Sequence, residues 1–266
     1  MAAPAVDAVR WMARMGYAAR GIVYLLVGGL AALAAFGQGG QTTGSRGALE
    51  RLITAPLGDV ILAALAVGLT GFSLWRCVQA LRDTDHHGLG PKGLTVRVGL
   101  LVSAVTHLLL AVFAVSLIFA FGGGGSDGDS EKSIASWLMR QPFGRWLVAV
   151  VGMVMIGVGI AHAVKGAAAH FDRHFDMPAT TQLWAYPICR FGLITRGLVF
   201  IIAGGFFLLA AHQLDPDEAG GMAEVFDSFR NQPYGTWLIA SVAVGLFAFG
   251  LYSLLEAIYR RVEPDA

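Results

Sequence analysis

Charge is scarce in this chain. Charged residues make up 14% of its 266 positions and hydrophobic residues 56%, with a mean hydropathy of +0.63. A soluble domain of this length needs a polar surface that such a composition does not supply, so the membrane class follows before any motif is read. Cysteine is nearly absent. The two present, Cys77 and Cys189, fall beside helix ends that the charge pattern makes cytoplasmic, where thiols stay reduced, and no structural disulfide is expected. A strong net charge is missing too: with +1, a pI near 7.9 and no basic stripe beyond what topology requires, nucleic acid is not expected as a partner. Nor is there a nucleophile elbow, a Walker loop, an HExxH helix or a dinucleotide fingerprint. The run Gly122 to Gly125 follows a span and precedes acidic residues, so it reads as a flexible outer turn rather than a phosphate cradle. Neither an enzyme nor a cofactor is expected.

What the chain has in abundance is long apolar runs. Charge-poor stretches at 17–36, 58–81, 98–121, 145–164, 191–213 and 236–259 each reach the roughly 20 residues that a helix needs to cross a bilayer. Barrel strands would alternate, whereas these runs are continuously apolar and rich in Gly and Ala. The expected fold class is therefore an all-α membrane protein of six transmembrane helices, with the lipid bilayer as its first partner. Of the 19 Lys and Arg, 13 lie on one side (positions 10–20, 76–97, 165–196 and 260–261) against 6 on the other (46–51, 132–145 and 230). The positive-inside bias then puts both termini in the cytoplasm.

The six runs are three copies of one unit. Arg14-Met15-Gly16-Tyr17 recurs as Arg97-Val98-Gly99-Leu100 and Arg190-Phe191-Gly192-Leu193. Pro56-Leu57-Gly58, Pro142-Phe143-Gly144 and Pro233-Tyr234-Gly235 follow these after 42, 45 and 43 residues. Repeats at 10–83, 93–170 and 187–261 then point the same way through the membrane, and a bundle with pseudo-threefold symmetry about the membrane normal is expected. Small residues recur at matched depths of each first helix, Gly21, Ala104 and Gly197, then Gly28, Ala111 and Gly204, which predicts a close-packed seam. The Pro of each unit suits the first turn of the second helix. Before it, the pairs Ala48/Leu52, Ile134/Leu138 and Val225/Phe229 predict short amphipathic helices on the outer surface.

With this repeat the sequence resembles the bacterial membrane proteins named for the domain of unknown function 1206. The resemblance is carried by Arg14-x-Gly16-Tyr17-x-x-Arg20-Gly21-x-x-Tyr24, by Gln141-Pro142-Phe143-Gly144 and by Leu74-Trp75-Arg76 followed by Asp83-Thr84-Asp85. It implies a triplicated two-helix module in a bacterial inner membrane and brings no established activity. The middle unit departs most, with Ser103 where the others have Arg20 and Arg196.

Several polar residues are candidates for more than packing. Arg20 and Arg196 lie one turn before Tyr24 and Phe200, where a guanidinium can cover a ring, and near enough to the cytoplasmic boundary to snorkel. Lys165 and Glu256, each 23 residues after its unit's Pro, either pair between units or, as the favoured reading, snorkel and reach Arg260 respectively. His107 is expected near mid-membrane and His162 nearer the cytoplasmic end, about 8–10 Å apart in depth at 1.5 Å per residue, which disfavours a shared haem. A buried imidazole at the bilayer centre is expected either to bond a neighbouring helix or to serve ion-linked chemistry, which would then reside in the middle unit. Two loop clusters, Asp83, Asp85, His86 and His87, and His170, Asp172 and His174, offer imidazole and carboxylate but match no specific metal motif.

The expected function is permeation or transport of a small ion or solute, with a non-catalytic scaffold or accessory subunit as the alternative. A homo-oligomer or a membrane-protein partner is compatible with either.

Overall fold

The computed structural model describes residues 3–119, 127–169, 175–230 and 232–262. Nine α-helices follow in order among them: α1 Ala3–Ala35, α2 Ser45–Ile53, α3 Gly58–Arg82, α4 Pro91–Ile118, α5 Asp127–Met139, α6 Gly144–Ala167, α7 Ala179–Gln213, α8 Met222–Arg230 and α9 Gly235–Tyr259. Six of them, α1, α3, α4, α6, α7 and α9, are long and apolar enough to cross a bilayer. The chain is thus an all-helical, multi-pass membrane protein in which each unit runs long helix, short helix, long helix. The glycine run 122–125 lies outside the described residues.

The turn before each second long helix differs from the expectation. Pro56, Pro142 and Pro233 precede their helices rather than opening them. The N–H of Gly58, Gly144 and Gly235 donates to the carbonyl of Ala55, Gln141 and Gln232, each at 2.9 Å. Leu57, Phe143 and Tyr234 between them adopt left-handed φ of 60°, 61° and 63°. Pro at the second position and a left-handed third residue form the pattern of a type II turn. Fixing φ at Pro serves that turn instead of the first helical turn.

The short helices form a layer over the end of the bundle opposite the chain termini. α2 buries Ala48, Leu49 and Leu52, and α8 buries Val225 and Phe226. In α5 Ala135 is buried and the predicted Leu138 packs on the same small cluster, while Ile134 is 46% exposed, so Ala135 takes the place expected of Ile134.

The long helices pack as a circuit in which the tightest joints lie between units: α3 with α4, α6 with α7, and α9 back to α1. The predicted small-residue seam is this joint. A Cβ added to Gly159 would lie 2.6 Å from the carbonyl oxygen of Gly197, and one on Gly204 would lie 2.7 Å from that of Gly152. At the closing joint, one on Gly250 would meet the carbonyl of Gly21 at 2.9 Å, and one on Gly28 that of Ala243 at 2.7 Å. At the third joint Ser73, which like Gly159 and Gly250 stands 17 residues after its Pro, donates to the carbonyl of Ala104 at 2.7 Å. Backbones approach this closely because dispersion and hydrogen bonds, not water exclusion, hold membrane helices together. Arg97 and Arg190 of the repeat motif donate to Ala80 and Ala167, terminal carbonyls of the preceding unit's second helix.

Within units the symmetry fails once. α1 packs on α3 and α7 on α9, but α4 and α6 show no comparable packing. Gly16 sits against the backbone of Phe72, and Gly192 against that of Phe249. Their middle-unit counterpart Gly99 has nothing within 4 Å of an added Cβ, and the same is true of Gly157 on α6. The spans of α4 and α6 are correspondingly 22% and 17% buried, against 44% or more for the other four.

Candidate functional site: a buried cationic and aromatic cluster

The terminal half of the bundle holds a connected polar network at a depth where unsatisfied polar groups are costly. Glu256 of α9 is its hub. It accepts from Arg20 of α1 and, at 2.8 Å, from Arg260 one turn further on. Tyr252 donates to it at 2.9 Å, and Lys165 of α6 donates to the Tyr252 hydroxyl at 3.0 Å. Arg20 also donates to Ser253 at 3.1 Å. Arg260 reaches Asp85 at 3.1 Å, and Asp85 accepts in turn from Gln79 at 2.9 Å. Arg76 donates to Gln79 at 3.1 Å.

Aromatic rings fill the space between these charges. Arg20 stands over Tyr17, Phe72 and Phe249, and Arg196 over Tyr24, Phe200 and Phe249, at 4.5–5.3 Å from the centroids. Arg196 is 7% exposed, and its Nε and Nη1 have no hydrogen-bond partner. Ring faces attract the guanidinium from above and below, but its N–H groups point in the plane, where a ring offers them no acceptor. The cluster gathers Arg20, Arg76, Arg196, Arg260 and Lys165 around Glu256 and Asp85, so cations outnumber anions.

Both helices of the middle unit send an imidazole into this cluster. His107 of α4 lies 4.6 Å from Phe72, and His162 of α6 is stacked on Phe200 at 6.1 Å and lies 6.4 Å from Phe249. Each Nδ1 is hydrogen-bonded to the carbonyl four residues earlier, His107 to Ser103 at 2.7 Å and His162 to Val158 at 2.9 Å. A carbonyl only accepts, so Nδ1 carries the proton and the lone pair of the neutral ring lies on Nε2.

Several sequence expectations are corrected by these contacts. Arg20 and Arg196 do not snorkel; they face the bundle interior, and Arg20 covers Tyr17 rather than Tyr24 because its carboxylate partner lies on α9. Lys165 and Glu256 do not pair directly but are joined through Tyr252, while Glu256 does reach Arg260 as expected. His107 bonds its own helix, not a neighbour. His162 stacks on Phe200, the repeat counterpart of His107, at 6.1 Å.

The loop candidates have structural roles. Asp83 accepts from the N–H of His87 at 2.9 Å and of Gly88 at 2.6 Å, closing the loop after α3, and these two bonds hold its carboxyl below the ordinary carboxylate range. Asp85 belongs to the buried network, and His86 adopts a left-handed φ of 53°. No group of three metal-ligating side chains occurs among the described residues. His170, Asp172 and His174 lie outside them. Sequence reasoning missed Arg76, Tyr252 and Ser253; a signal was available, since Arg76, His162 and Ser253 all stand 20 residues after their unit's Pro. At the terminal end a cavity of about 340 Å³ is bordered by Arg10, Arg14, Asp176, Arg260 and Arg261, so Arg260 joins the cluster to a basic mouth.

Six spanning helices in three repeated pairs around a charged interior define a polytopic membrane protein of triplicated two-helix modules. The chain belongs to the family described as Domain of Unknown Function (DUF1206), which matches it three times, at residues 15–83, 98–169 and 191–260. It is 32% identical over 260 residues to the uncharacterized protein YxxB of Bacillus subtilis (strain 168), covering 96% of this chain and 92% of that one. No solved structure matches it.

Proposed function

We propose that the protein is a non-enzymatic component of a bacterial cytoplasmic membrane, with both termini in the cytoplasm, that binds a small anion in its central cluster and passes it across the bilayer. Arg196 carries this reading. A guanidinium in a low-dielectric interior with two nitrogens lacking acceptors is a costly arrangement, and an oxyanion or halide in its plane supplies the missing partner. The excess of cations over carboxylates and the basic mouth at Arg260 support the same sign of ligand. Rings occupy the space between the charges, so passage on this reading needs a rearrangement instead of an open pore. Proton coupling falls to the middle unit, where His107 and His162 reach the cluster.

The experiment is anion flux into proteoliposomes, tested with chloride, nitrate and phosphate, for the parent and Arg196→Gln with folding verified by thermal unfolding. Flux lost in the variant is the expected result. A parent without flux for any ion favours the second reading, an accessory subunit whose open α4–α6 face receives a partner's membrane helix, and that reading requires a stoichiometric partner on purification.

A further inference from the structure

We infer that the anion taken by the central cluster is an amphipathic one, an anionic headgroup on an apolar tail, admitted sideways from the bilayer between α4 and α6. The inference rests on the anion-binding reading above and adds the class of ligand and its route.

The helical circuit is closed everywhere except between these two helices. In the flanking units the corresponding joint is sealed by a glycine on the first helix lying against the backbone of a phenylalanine on the second: Gly16 on Phe72, Gly192 on Phe249. The middle unit keeps the glycine, as Gly99, but places Val158 at the phenylalanine position, and the two helices stand apart. The corner is also reduced in bulk and charge. Ser103 replaces the arginine of the other units, and His107 replaces Tyr24 and Phe200. One unit has therefore lost a cation, a large ring and a helix contact at one place, which leaves a fissure facing lipid.

What lies behind the fissure is chemically specific. His107 from one wall rests on Phe72, the ring under Arg20. His162 from the other wall rests on Phe200 and Phe249, two of the rings under Arg196. A headgroup passing between the two imidazoles thus stands one ring from the guanidinium whose Nε and Nη1 are unsatisfied and which is 7% exposed. The outer surface beside Gly99 and Gly157 is apolar, with Val102 and Val154 exposed, and an alkyl chain left there stays in hydrocarbon on binding. A fully hydrated ion would gain nothing from a lateral path through hydrocarbon. Anionic chemistry of this kind is shared by a phospholipid headgroup and by a free alkyl phosphate, and the two are separated by supplying them independently.

The test uses the full chain in nanodiscs of zwitterionic lipid. Binding of inorganic phosphate, decyl phosphate and an anionic phospholipid is measured for the parent, Arg196→Gln, Arg196→Lys and the pair Gly99→Phe and Gly157→Phe. An added Cβ at either glycine has nothing within 4 Å, so the backbone accepts a side chain there and the rings are placed to narrow the fissure. Decyl phosphate is expected to bind at least about tenfold more tightly than inorganic phosphate, a difference of about 1.4 kcal/mol. Phenylalanine at 99 and 157 is expected to remove that advantage while leaving inorganic phosphate unchanged. Arg196→Gln abolishes binding of both, and Arg196→Lys restores part of it. Binding of the phospholipid together with decyl phosphate admits a lipid as the ligand; binding of decyl phosphate without it identifies a diffusible amphiphile. Equal affinity for the two phosphates, or an advantage that survives the phenylalanines, overturns lateral admission and leaves the anion-binding reading standing. No binding of any probe that depends on Arg196 overturns both.

Discussion

Arg20 and Glu256 stand 236 positions apart in the chain and form a buried ion pair across the joint between the first and last units, with side chains 6% and 2% exposed. The pair lies at the joint where the repeat series closes on itself, so it ties the chain's two ends together inside the bilayer. Glu256 also neutralises part of the charge of Arg260, which leaves it serving two cations at once.

Glu256→Gln is therefore expected to be strongly destabilising. It leaves the buried Arg20 guanidinium without a carboxylate and Arg260 with Asp85 alone, and breaking a buried pair from one side costs about 3–5 kcal/mol. Thermal unfolding in detergent measures it, and Arg20→Gln combined with Glu256→Gln should recover part of the loss. A single variant as stable as the parent would show that the pair does not hold the joint.

The inter-unit seam predicts opposite outcomes at adjacent glycines. Gly204→Ala places a methyl group 2.7 Å from the carbonyl of Gly152 and should lower the unfolding temperature. Gly205 faces open space, so Gly205→Ala should be neutral or stabilising by up to about 1 kcal/mol through helix propensity. The same contrast is expected between Gly28 and Gly29. Equal effects at both members of a pair would remove the seam as an explanation.

The 13 to 6 division of basic residues predicts cytoplasmic termini. A reporter that is active only in the periplasm, fused after Ala266, should stay silent, and one fused within the loop between α5 and α6 should be active. The reverse pattern overturns the orientation.

Asp83 predicts an acid-sensitive loop. Its carboxylate is favoured in the folded loop by the N–H groups of His87 and Gly88, so its pKa is lower there than in the unfolded chain. The contribution is present above the ordinary carboxylate range and is lost as pH falls through the depressed folded value. Amide exchange at His87 and Gly88, corrected for the intrinsic rate, should rise as the pH falls below the ordinary carboxylate range and be raised at every pH in Asp83→Asn. Unchanged protection in that variant would show that another contact closes the loop.

The sequence by itself determined the number of spans, their pairing into three units and the small-residue seam. Each of these is written at fixed spacing along one helix: a run of about 20 apolar residues is long enough to span, and Gly21 and Gly28, seven apart, must share a face. Depth along an axis and face of a helix are local quantities, and local quantities are legible in a single chain. Which helix a face meets is not local. Arg20 reads from the sequence as a snorkelling residue beside Tyr24, and only the packing of α9 against α1 turns it inward onto Glu256. His107 and His162 read as separate residues on separate helices until the circuit brings both onto rings of one cluster. The break between α4 and α6 was likewise decided by tertiary structure. Gly99 carries the same residue type as Gly16 and Gly192, and it differs only in having no helix in front of it, because the backbone contact that seals the other two joints depends on two helices meeting in space, which no spacing within either helix encodes.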